Sequence, residues 1–181
     1  QNFKHQLNEL SKSSAVHSTL IIDDRSSCKF IKTSNLSSNV SHGLKITKKN
    51  IIFEKNYWKI NAAHDGYLKK YGAIHEREIE FYPEHLKFIG HDKVILKNNY
   101  KKINFEIRFH LEPNVKLMKT QDNKSIFIKL NKEGWKFTCD KYDINIDKGL
   151  YFGRKNSFIE NQNIFISGMT QDQIQTIKWE I

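Results

Sequence analysis

Cysteine and proline are almost missing from this 181-residue sequence, with two of each. Cys28 and Cys139 lie far apart without C-x-x-C spacing, which excludes a zinc ribbon or a redox dithiol motif. They read as two independent half-buried thiols rather than a disulfide. No apolar run comes near the roughly 18 residues of a membrane-spanning helix, and no signal-peptide pattern stands at the start. Gln1 is not a natural first residue, so the chain reads as a piece of a longer protein. Nucleotide-binding glycine loops, G-x-S-x-G elbows, zincin helices and RNA-binding strand signatures are absent. No segment keeps a helical apolar period over three turns, which leaves little or no helix.

Charge, by contrast, is abundant but dispersed. Lys and Arg total 30 against 20 Asp and Glu, a formal net charge of +10 that favours acidic partners. No lysine run exceeds two residues and no base-reading motif accompanies the charge, so nucleic acid is set aside. One domain is expected, since a chain of this length buries roughly 70% of its unfolded surface. Residues 1–16 are polar and weakly periodic and read as an N-terminal arm free to be disordered, with the domain over 17–181.

Short apolar alternations follow one another from residue 18, separated by turns rich in Asn, Asp, Gly and Lys. The cleanest puts Ile103, Phe105, Ile107, Phe109 and Leu111 on one face and Asn104, Glu106, Arg108 and His110 on the other. Residues 34–43 have loop composition, Lys49-Asn50 reads as a hairpin turn, and His91-Asp92 reads as a break between two strands. Residues 142–147 and 149–153 read as separate strands. About a dozen short strands predict an all-β, antiparallel two-layer sandwich, with a closed barrel as the alternative.

The candidate site lies in residues 61–82. Past Ile74 the side chains alternate, so His75, Arg77, Ile79 and Phe81 share one face while Glu76, Glu78 and Glu80 share the other. Two cationic types on an otherwise apolar face suggest a strand entering the core from a rim. A cross-strand pair with glutamates would explain them without function, but a buried Arg demands a carboxylate, and a rim Arg offers a fork to a uronate or sulfate. His64 precedes Asp65-Gly66-Tyr67, either a hairpin corner with positive φ or a rim where His64 and Tyr67 meet an anionic sugar. Arg108 and His110 repeat the spacing on a solvent-facing side, where solvation suffices. His17 stands at a strand entrance with no neighbouring ligand, so a metal there needs distant partners.

The ordered series AVHSTLIIDD, HDGY, HERE, GHD, the string from Phe105 to Pro113, GWKF and LYFG resembles the C-terminal half of heparinase II/III-like proteins. The resemblance covers most of the chain, from His17 to Trp179. It implies an N-terminal α/α toroid joined to a C-terminal antiparallel β-sandwich, this chain being the sandwich. Further implications are a bacterial envelope setting and β-elimination on heparin-like glycosaminoglycans or alginate, with the catalytic Tyr and His or Asn supplied by the missing toroid. It also implies zinc near the domain junction, with His17 as one ligand and its companions ahead of Gln1. The expected partners are an acidic polysaccharide and the toroid, and His64, Tyr67, His75 and Arg77 are the substrate-cleft candidates. A non-catalytic carbohydrate-binding or scaffolding sandwich is the competing expectation.

Overall fold

The computed structural model describes residues 10–32, 38–97, 101–154 and 157–181. Among them run fourteen strands: β1 (Leu20–Ile22), β2 (Lys29–Lys32), β3 (Ser38–His42), β4 (Ile46–Glu54), β5 (Tyr57–His64), β6 (Ala73–Tyr82), β7 (Lys87–Leu96), β8 (Asn104–His110), β9 (Lys116–Lys119), β10 (Ser125–Leu130), β11 (Glu133–Thr138), β12 (Ile144–Arg154), β13 (Ser157–Met169) and β14 (Ile174–Glu180). One short helix, α1 (Leu68–Tyr71), lies between β5 and β6. The small sheet has the order β1-β8-β13-β12 and the large one β4-β5-β6-β7-β14-β11-β10-β9, while β2 and β3 form a separate ribbon. All these pairings are antiparallel. The architecture is the all-β sandwich that the alternation predicts.

Its core is where the two inner faces meet. Leu20, Phe105, Ile107, Ile164 and Ile166 of the small sheet pack with Val94, Leu96, Ile126, Phe137 and Ile177 of the large one. Each such side chain contributes about 1.5–3 kcal/mol by leaving water. Phe109 of the small sheet stands between Phe137 and Trp179 of the large, with ring centroids 4.8 and 4.9 Å away. That aromatic contact ties the sheets together.

Several local expectations are corrected. His91-Asp92 is not a break, because β7 runs unbroken through both residues and Asp92 pairs with Arg77. Lys49-Asn50 lies inside β4, and the two-residue turn falls at Lys55-Asn56. β12 likewise continues through Gly149, where a Cβ would meet Asn161 Oδ1 at 2.6 Å and Asn163 Nδ2 at 2.8 Å. Part of the expected loop at 34–43 is β3, paired with β2; residues 33–37 lie outside the described residues, as do residues 1–9 of the N-terminal arm. The described part of that arm carries a 3-10 turn, Ser14–Val16, in which Ser14 donates its backbone N–H to Ser26 Oγ and accepts from Ser27 N–H. Asp65-Gly66 is no positive-φ corner; the left-handed residue is Gly72, at φ 63°, ending α1.

Because directly paired residues share a face, the inner surface of the large sheet reads as rows across its strands. One row is Phe53, Trp58, Phe81 and Phe88, and it reaches Ile181 through two backbone bonds. The next is Ile51, Ile60, Ile79, Gly90 and Trp179. The third is Lys49, Ala62, Arg77, Asp92 and Ile177, and the fourth holds His64, His75, Val94 and Gln175. Gly90 is obligatory there, since the Trp179 ring lies 2.0 Å from where its Cβ would stand.

Candidate functional site

The third and fourth rows carry a charged cluster between the sheets. Asp92 has no solvent exposure, a position no carboxylate tolerates without compensation. Four hydrogen bonds supply it. His75 Nε2 donates to Oδ1 at 2.6 Å and Arg77 Nε to the same oxygen at 2.8 Å; Arg77 Nη2 and Trp179 Nε1 donate to Oδ2 at 3.1 and 2.9 Å. Burial pushes the Asp92 pKa up, but the Arg77 charge and the His75 bond overcome it and hold the carboxyl well below the usual range. Arg77 also donates from Nη1 to Ser18 O at 2.6 Å and lies 5.6 Å above the Phe109 ring, so it bridges both sheets at the rim.

The ring tautomers follow from one backbone amide. Gly66 N–H donates to His64 Nδ1 at 3.2 Å, which makes that nitrogen the acceptor and leaves the proton on Nε2. His64 Nε2 therefore donates to His75 Nδ1 at 3.2 Å, and His75 keeps its own proton on Nε2 for Asp92. Burial, with the neighbouring His75, lowers the His64 pKa to about 4, so the ring is neutral at pH 7. Within this hydrogen-bonded series from Gly66 to Asp92 no ring lone pair is left over to take a substrate proton. The arrangement can orient Arg77 and brace the rim, and offers no general base.

The structure thus brings together His64, His75 and Arg77. Their carboxylate partner is Asp92 rather than a glutamate, and sequence reasoning missed both it and Trp179. The buried-Arg requirement was the available signal, and reading Asp92 as a turn residue hid it. Tyr67 holds its ring tilted, 6.0 Å from that of His64, but is only 1% exposed, and its hydroxyl donates to Leu20 O at 2.7 Å. It acts as a clasp between the α1 loop and the small sheet, with its face turned away from solvent. His17 is exposed and donates from Nε2 to Ser11 O at 3.0 Å. Among the described residues no three His, Cys, Asp or Glu side chains converge to hold a metal ion, so these residues alone do not fit a zinc site. Cys28 and Cys139 are both free thiols.

Arg108 and His110 are less solvated than their pattern suggests. Arg108 is 17% exposed in its side chain, pairs with Glu106 and with Asp147, and donates to Asn163 Oδ1 at 2.9 Å. His110 donates from Nε2 to Ala15 O at 3.0 Å, fastening the N-terminal segment to β8. On the outer face of the large sheet Glu76 takes Lys48 and Lys93, and Glu78 and Glu80 take Lys59. That face is a charge-paired ladder.

The sequence matches the family profile Heparinase II/III-like, C-terminal, over residues 1–180. The chain belongs to the heparinase II/III-like family. No curated protein matches it. Among solved structures, heparan sulfate lyase HepC from Pedobacter heparinus is similar at TM-score 0.75 and 12% identity, over 97% of this chain and 25% of that one. A heparinase III is similar at TM-score 0.69 and 11% identity, over 97% of this chain and 24% of that one. At those identities the likeness speaks for the fold. This heparinase II/III-like domain spans about a quarter of the length of the solved chains it resembles.

Proposed function

We propose that this domain is the sandwich part of a polysaccharide lyase acting on acidic, uronate-containing chains by β-elimination, and that it braces the substrate cleft and domain junction. In such chemistry a base removes the proton α to the uronate carboxylate, an acid protonates the leaving glycosidic oxygen, and cationic groups neutralise the carboxylate as charge builds. The observation that carries the supporting role is the closed hydrogen-bond chain from Gly66 to Asp92, which holds no spare base. Family membership and the +10 charge favour a polyanionic substrate. Arg77 and His64 are the groups proposed to face the cleft, with His75 holding them in position and Tyr67 securing the loop behind.

The test is incubation with heparan sulfate and with alginate, following the ultraviolet absorbance of the unsaturated uronate product. The 181-residue chain alone yields none, and the longer polypeptide carrying it yields product from one of them. Product from the chain alone overturns the supporting role. Absence of product from the longer protein on every acidic polysaccharide tried overturns the lyase reading and leaves a scaffolding sandwich.

A further inference from the structure

The large sheet is twice as wide as the small one, and the apolar rows at one end of its inner face run out beyond cover. Ile79 still packs on the core, and Trp58, Phe81 and Phe88 are half-buried in one aromatic cluster, with the Phe81 and Phe88 rings stacked 4.4 Å apart. Past them Ile60 is 42% exposed, Ile51 56% and Phe53 84%. The row from Phe53 to Ile181 crosses five strands, roughly 19 Å at the usual strand spacing. A groove of ≈ 820 Å³ adjoins its far end, where Leu86, Trp135 and Ile181 alternate with the charged Lys87, Glu133 and Glu180. A contiguous apolar surface of this kind marks an interaction site.

We infer that this face seats another part of the same polypeptide: a protein surface with an apolar centre and carboxylates at its margin, supplied by sequence lying beyond this chain. The inference rests on the family reading, in which solved chains of this fold carry about three quarters of their length outside the matched region. Chemistry selects the occupant. Among the side chains of these two rows that lie beyond the core, Trp58 alone carries a polar atom, too little for the hydroxyls of a saccharide. Lys49 and Lys55 bracket the apolar run on β4 and enter no ion pair among the described residues. A second copy would set those lysines and a +10 charge against their like, whereas an acidic margin complements them.

Hydroxyl-radical footprinting of the intact longer protein tests this with an internal reference of the same residue type. Phe53 is 84% exposed here and Phe127 45%, so without a covering surface Phe53 is labelled about twice as fast. Docking reverses the order, with Phe53 labelled several-fold more slowly than Phe127, and Phe53→Asp lowers the Tm of the longer protein by about 4 °C or more. Faster labelling of Phe53 overturns the proposal. So does protection that vanishes on dilution, which assigns the face to a second copy, and so does a coding sequence holding nothing beyond these residues. Lyase activity is read separately, and its loss with Phe53 still protected counts against the proposed function alone.

Discussion

His75-Glu76-Arg77 on β6 and Arg108-Phe109-His110 on β8 place the same two side-chain types two residues apart, one pair on each sheet. In the first, the hub is a fully buried carboxylate ringed by donors. In the second, the hub is the arginine, ringed by Glu106, Asp147 and Asn163, of which Asp147 is 51% exposed. Water can replace the Asp147 carboxylate beside Arg108 and almost nothing of what surrounds Asp92. A motif of two cations therefore has no fixed energetic meaning until its counter-charge is located.

The sharpest way to break this contrast is Asp92→Ala. It strands Arg77 against an apolar core, and urea unfolding is expected to show a loss of about 3–5 kcal/mol with the m-value unchanged. A loss no larger than that of Arg108→Met would abolish the distinction. Next comes Arg77→Met, which keeps the apolar stem over Phe109 but uncovers Asp92, for about 2–3 kcal/mol; Arg108→Met should cost about half as much.

Acid titration separates the two clusters further. The native pKa of His64 is about 4 and its unfolded value 6.5, so between those pH values the unfolded chain binds the extra proton. Stability is then full above 6.5 and falls as pH drops toward 4, by on the order of 1 kcal/mol once solvent screening is allowed for. Burial also lowers the His110 pKa, which contributes in the same sense. His64→Gln is expected to flatten part of the slope in a pH series of unfolding midpoints. Below about pH 4 the Asp92 contribution begins to fail, because the unfolded carboxyl protonates first. The smallest effect belongs to Asp147→Ala, within about 0.5 kcal/mol by thermal melting, as for an exposed ion pair.

Alternation made the sandwich and the faces of β6 and β8 legible, because a period of two reports directly which side is wet. It failed where turn-prone residues were used inside strands. Asp92 and Gly149 look like punctuation in one dimension; in three, Arg77 neutralises the first and Asn161 and Asn163 close over the second. The outer ladder of Glu76, Glu78 and Glu80 was visible as a pattern, but its lysine partners on β4, β5 and β7 depend on register that only the fold supplies. A buried arginine demands a carboxylate, and for Arg77 that carboxylate is Asp92 on β7 rather than one of the glutamates of the non-functional reading.

The saturation of Asp92 bears on which residues that position can accept. Both of its oxygens receive N–H groups, so a near-isosteric amide would have to aim its own hydrogens at His75 and Arg77 or at Arg77 and Trp179. Shape alone cannot rescue Asn at 92. The cluster selects polarity as strictly as volume, and a library at this position should return aspartate alone.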